Sequence, residues 1–281
     1  MARRRKSEAI SPTAHYTAQV WVRNGMSHPA FDTWQGRALY QALKPPLALY
    51  GLSGGPSLEQ VLLARHRIID HLLDAAIEAG EVSQVIEIAA GLSPRGWRCR
   101  RRFGDRVTYI EADLPDMALH KERLLRDIGA LSAQHRCVSL DALLDEGAGS
   151  LSVLAGDLDP GKGLAIITEG LLNYFDRDAV LGMWGRFAGT LQAFEHGVYL
   201  SDLHLAGENR GAAISGFGKL LSTFVRGRIH LHFDTAIDAQ GLLVKQGFAQ
   251  AMLHQPTDFA RDLQLDDDPS HRLVRIVQAK T

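Results

Sequence analysis

The sequence predicts an open α/β fold: a mostly parallel seven-stranded sheet with helices on both faces, finished by an antiparallel C-terminal pair of strands. Three observations predict it. From residue 81 onward, short apolar and β-branched runs alternate with helical segments. Some runs, such as Leu164-Ala-Ile-Ile-Thr168, show no polar alternation, as strands covered on both faces require. A chain of 281 residues that is 46% hydrophobic can also bury one large core, and that composition excludes a disordered polymer.

The chain opens with MARRRKSEAISPTAHY, a basic run read as a solvated arm; no apolar stretch follows it, so a secretory leader is not expected. Residues 13–80 read as largely helical and form an expected N-terminal helical cap over 1–80, ahead of a domain over 81–281. In 58–79 the apolar residues Val61, Leu62, Ile68, Ile69, Leu72, Leu73, Ala76 and Ile77 fall in helical steps, and Gly80 stands where a helix would stop. Pro45, Pro46 and the glycines after them are expected to break the earlier part into pieces. Strands are expected near 84–89, 107–111, 136–138, 164–168 and 197–201, with helices at 115–128 and 178–191. The tail reads as a helix over 234–246 and two strands, 248–253 and 272–279, joined tightly by Asp266-Asp-Asp-Pro269. Between the fifth strand and that helix, about 203–233 is too long for a simple connection and rich in glycine, the texture of a lid-like insert.

With 31 basic and 32 acidic residues the formal charge is −1, which gives no global reason to bind nucleic acid or an anionic membrane. No run approaches the ~18 unbroken apolar residues of a membrane span. Cys99 and Cys137 are too few and too far apart for a disulfide scaffold or a zinc site, so no metal is expected, and a reducing cytoplasm suits the chain.

The chemistry-bearing residues cluster at the ends of the expected strands. The first strand runs into Ala89-Ala-Gly-Leu-Ser-Pro-Arg95, where open α/β folds bind nucleotides. Ala89 occupies the first glycine of the dinucleotide pattern, so the close backbone approach that a pyrophosphate needs is opposed. A nucleoside without phosphate, such as S-adenosylmethionine, tolerates this turn. Asp113 lies 22 residues beyond Gly91, near the offset at which a carboxylate accepts both hydroxyls of a ribose. Asp157 can accept from an adenine amino group, Leu158 can wall it, and Glu169 can face the cationic end of a ligand. A packing turn, a helix cap or loop acids would look the same one by one.

Taken together, these residues resemble the leucine carboxyl methyltransferase family, in particular its bacterial polyketide O-methyltransferase branch. The resemblance rests on Arg65 before the first strand, Ala89-Ala-Gly-Leu-Ser-Pro-Arg95, Glu111-Ala-Asp-Leu-Pro115, Asp157-Leu158 and Thr168-Glu-Gly-Leu-Leu-Asn-Tyr-Phe175, in family order over about half the chain. It implies a class I (Rossmann-like) methyltransferase fold and S-adenosyl-L-methionine as cofactor. Arg65 would hold the methionine carboxylate, Ala89 and Gly91 would line the turn, and Asp113 would take the ribose. Asp157 and Leu158 would meet the adenine, and Glu169 would lie beside the amine. Ala89 and Ser93 depart from the family's usual glycine and aspartate.

A sulfonium methyl is already activated, so the protein's tasks are alignment and exclusion of water. A carboxylate acceptor needs no base; a hydroxyl needs one within hydrogen-bond reach. Asp202 and His204, after the fifth strand, and Tyr174, in the family-matched stretch, are the candidate catalytic residues on the acceptor side. His230 and His232 would share one face if extended, and the segment from His15 to Asn24 could help cap the acceptor. The expected activity is O-methylation of a small-molecule carboxylate or hydroxyl. A nicotinamide-dependent oxidoreductase and a non-catalytic S-adenosylmethionine sensor remain the alternatives; methylation of a protein C-terminus is disfavoured because no docking feature is recognisable.

Overall fold

The computed structural model describes residues 12–52, 54–209 and 230–281. The basic opening run and most of the expected insert therefore lie outside the described residues.

Among the described residues, three α-helices precede the sheet: α1 (Pro12–Arg23), α2 (Trp34–Leu52) and α3 (Leu58–Glu78). Ser57 caps α3 by accepting from the Gln60 amide, and Gly80 ends the turn after it at φ +76°, a conformation glycine adopts without strain. The expected break at the prolines does not occur, because α2 continues through Pro45 and Pro46. The carbonyls that lose their helical donors belong to Gln41 and Ala42, which are exposed, so water can replace the missing bonds.

The alternation then runs β1 (Gln84–Ile88), α4 (Arg95–Phe103), β2 (Thr108–Asp113), α5 (Pro115–Asp127), β3 (His135–Ser139), α6 (Leu151–Gly156), β4 (Leu164–Thr168), α7 (Arg177–Leu191), β5 (Gly197–Leu203), α8 (Ala236–Lys245), β6 (Gln250–His254) and β7 (Arg275–Lys280). The seven strands among the described residues lie in the order β3-β2-β1-β4-β5-β7-β6, parallel except for β7, which runs antiparallel to both neighbours. The last two strands are not tightly joined as expected. Residues 269–273, which include Arg272, form a short 3-10 turn tied to α3 by the Ser57 amide donating to Ser270 Oγ, and β7 starts only at Arg275.

Alternate strand residues feed two layers. Ile86, Ile88, Ile110 and Ile166 pack towards Trp184 and Phe187 of α7, while Val85, Tyr109, Ala165 and Ile167 pack on Ile68, Ile69 and Leu73 of α3. Complete burial on both faces explains why β4 reads as an unbroken apolar run. β1 pairs with β2 on one side and β4 on the other, so the strand order reverses there and a crevice opens beyond their carboxyl ends. Among the described residues, no helix is long and apolar enough to cross a membrane.

Candidate active site

The turn leaving β1 is held in an unusual shape. Ala89 has φ +54° and Gly91 φ +48°, and a left-handed alanine costs on the order of 1 kcal/mol that neighbours must offset. Backbone and side chains of β2 supply the offset. The Ala90 amide donates to the Ala112 carbonyl (3.1 Å), and the Gly91 amide donates to Asp113 Oδ2 (2.7 Å). Asp113 Oδ1 accepts from the Leu114 amide (2.7 Å), so each oxygen takes one backbone donor. Burial raises the Asp113 carboxyl's pKa, opposed by those two amides and by Lys121. Ser93 is buried and accepts from the Arg95 amide (3.2 Å), so it shapes the start of α4 in place of the family's charge. A side-chain carbon placed on Gly91 would stand 3.5 Å from Ala14 Cβ, so α1 lies over the turn.

One strand away, a buried ionic network joins α3, α4, β1, β4 and β5. Arg65 on α3 binds Glu169 through Nε (3.0 Å) and Asp202 through Nη1 (2.9 Å). Nη2 has no hydrogen-bond partner among the described residues; a side chain on Gly170, at φ +69°, would come within 3.0 Å of it. Arg95 reaches Glu169 (2.5 Å), Glu87 (2.5 Å) and Asp70 (2.6 Å), and Tyr109 donates to Glu87 (2.8 Å). His66 Nδ1 lies 2.8 Å from Glu169 Oε2, and its ring sits 4.5 Å from that of Trp21 on α1. Burial alone would raise the Glu169 carboxyl, but His66, Arg95 and Arg65 hold it well below the usual carboxylate range. Glu169 is therefore ionised and keyed to the two arginines.

The acceptor side is looser. Asp202 was expected as an acid open to an acceptor. Instead it is buried, with Oδ2 on Arg65 and Oδ1 accepting from the Gly170 amide (2.7 Å), so both oxygens are engaged and it fixes the arginine. His204 donates from Nδ1 to the Leu273 carbonyl (2.6 Å), which leaves Nε2 as the unprotonated nitrogen, 3.8 Å from Asp202. Burial pushes the imidazole pKa down. The Tyr174 hydroxyl lies 3.2 Å from Thr13 Oγ1 of α1, half exposed. His230 and His232 share a face, with rings 5.7 Å apart and nearly parallel, and the segment is tied to Asn173 by the His230 amide (2.9 Å).

Two expected residues do not come to this edge. Asp157 ends α6 and is exposed; Leu158 lines a surface cleft between α6 and α7. The following Asp159 exchanges hydrogen bonds with Gln84, the first residue of β1, so this loop lies at the amino edge of the sheet. What β3 delivers to the carboxyl edge is Leu140, whose amide donates to the Asp113 carbonyl (2.8 Å), and then Asp141. The sequence also left Arg95, His66, Asp70 and Glu87 without roles. Glu87 carried the available signal: a lone acid inside Val85-Ile-Glu-Ile88 needs a buried partner.

The model of the leucine carboxyl methyltransferase family matches residues 37–186, more than half the chain, and the chain belongs to that family. A Rhodococcus jostii protein, provisionally named an S-adenosyl-L-methionine-dependent methyltransferase, is 38% identical over 112 residues, or 40% of this chain and 36% of that protein. The match thus spans little more than a third of that relative's length. Among solved structures, a provisionally assigned methyltransferase from Thermobifida fusca aligns with 98% of this chain and 96% of its own (TM-score 0.66, 12% identity). A DUF574 family protein from Streptomyces avermitilis aligns over 96% of both chains (TM-score 0.65, 12% identity). These two establish the fold as that of class I methyltransferases, and the family brings S-adenosylmethionine as its cofactor.

Proposed function

We propose that this member of the leucine carboxyl methyltransferase family transfers a methyl group from S-adenosylmethionine to a carboxylate or hydroxyl oxygen of a small molecule. The observation that carries the reading is the meeting of Arg65 with Glu169 and Asp202 beside the turn that Asp113 holds, at the switch point of the sheet.

The donor set fits the cofactor. Arg65 keeps a guanidinium nitrogen for a carboxylate, and Asp113 keeps lone pairs for a diol after accepting its two amides. No phosphate has to approach the turn, so Ala89 in place of glycine is no obstacle. Arg65 would hold the amino-acid carboxylate, Ala89 and Gly91 would line the turn, Glu169 would face the ammonium, and Asp113 would take the ribose. Leu140 and Asp141, rather than Asp157 and Leu158, would flank the adenine. The nicotinamide alternative has no glycine-rich pyrophosphate seat to support it.

When bound, the cofactor supplies a methyl group already activated by its sulfonium. The chain's own residues then have three tasks. The Arg65–Glu169–Asp202 set fixes the donor end in a nearly dry environment, where charges act strongly. Helix α1 covers the turn through Ala14, which shields it from water, and meets Tyr174 through Thr13. His204, neutral and with Nε2 unprotonated, accepts the proton of a hydroxyl acceptor; a carboxylate acceptor does not need it.

Calorimetry with S-adenosylhomocysteine and transfer of labelled methyl to panels of carboxylates and phenols test the reading. Saturable binding and turnover on one panel are expected. Absence of binding would remove the proposal, and binding without turnover on either panel would leave a cofactor-binding protein without transfer.

A further inference from the structure

Beneath the cofactor turn lies a second buried ionic cluster that the transfer chemistry does not use. Lys121 on α5, Glu111 on β2 and His135 on β3 are all but inaccessible, none more than 2% exposed. The Lys121 ammonium contacts Glu111 Oε2 and donates to the Ala90 carbonyl (3.3 Å). His135 closes the other side, with Nε2 2.6 Å from Glu111 Oε1 and Nδ1 donating to the Ala130 carbonyl (3.0 Å). The start of α4 passes over the same carboxylate: a side-chain carbon on Gly96 would sit 2.3 Å from Glu111 Oε1. The cluster therefore touches the turn at Ala90 and the start of α4 at Gly96.

Burying an ammonium costs several kcal/mol, and an apolar residue of similar volume would fill this part of the core more cheaply. The charge is aimed at one carbonyl, and that carbonyl lies between the two left-handed residues Ala89 and Gly91. We propose that Lys121 is a positioning residue for cofactor binding: held by Glu111 and His135, it clamps the Ala90 carbonyl and so keeps the turn in its binding shape. The inference rests on the reading of that turn as the S-adenosylmethionine site. The same ammonium favours the ionised form of Asp113, working against the burial that raises that carboxyl.

Lys121→Met alone strands a buried carboxylate and lowers the melting temperature, so the decisive variant is Glu111→Gln/Lys121→Met, which removes both charges together. The double variant is expected to recover most of the lost melting temperature while binding S-adenosylhomocysteine about tenfold or more weakly, with kcat at saturating cofactor within about threefold of wild type. Lys121→Arg, which keeps the charge and a donor, is expected to fold and to bind more tightly than the double variant. A double variant that regains wild-type affinity along with its melting temperature overturns the inference, because a purely structural cluster restores both at once. Binding by Lys121→Arg that is no better than that of the double variant overturns it as well. Wild-type protein that binds no S-adenosylhomocysteine would instead remove the underlying cofactor reading.

Discussion

The two sides of the crevice are built on different principles. On the donor side, charged groups are buried and paired: Arg65 with Glu169 and Asp202, Arg95 with Glu87, Asp70 and Glu169, and a left-handed turn pinned by Asp113. On the acceptor side, Tyr174 is 40% exposed and His230 and His232 stack half-buried, in a segment anchored by buried Phe233 on Trp184 and by backbone bonds to Asn173, Ala206 and Gly207. A buried ionic network admits few substitutions, because each charge left alone is costly. A half-exposed aromatic and imidazole surface can change shape without unfolding anything. The donor side is thus specified by charge, and the acceptor side can be retuned.

The harshest challenge to this contrast is Arg65→Met. It removes the ion-pair partner of buried Asp202, while Glu169 keeps Arg95 and His66, and should cost about 3 kcal/mol in urea denaturation, together with loss of S-adenosylhomocysteine binding. A loss within about 0.5 kcal/mol, as at a surface site, would erase the difference between the two sides. His204 gives the intermediate effect. Its pKa is lowered by burial, so the neutral imidazole persists to below pH 6.5, and rate on a hydroxyl acceptor should fall only as pH drops through that depressed value. His204→Asn should slow that reaction about 100-fold and abolish the limb, while transfer to a carboxylate should show neither change. The mildest effect belongs to Tyr174→Phe. It removes only the bond to Thr13 and should leave stability within about 0.5 kcal/mol while shifting acceptor KM. A stability loss as large as that of Arg65→Met would place Tyr174 with the donor side.

Much of this layout is legible in the chain itself, for identifiable reasons. The unbroken run in β4 announces a strand buried on both faces, and acids at the strand ends, Asp113 closing β2 and Glu169 just past β4, lie at the crevice. Asp157 misleads because α6 has only six residues, too short for periodicity to reveal, and its loop lies at the opposite edge; the acid that follows β3 at the carboxyl edge is Asp141. Lys121 and Arg95 are opaque for another reason. On a helix, a basic residue reads as solvated, and nothing local tells that Glu111 or Glu87 waits across the sheet. The prolines of α2 mislead because exposure decides whether a missing hydrogen bond matters.

The position of β7 bears on how the molecule comes into being. It is the last strand in chain order, yet it separates β5 from β6 and is the only strand partner of β6 among the described residues. During synthesis β6 emerges first with nothing to pair against, and the open flank of β5, with Tyr199 and Leu200, waits beside it. Sheet closure is consequently a late event, and a nascent chain halted before residue 275 would present two sticky flanks to chaperones rather than a finished sheet.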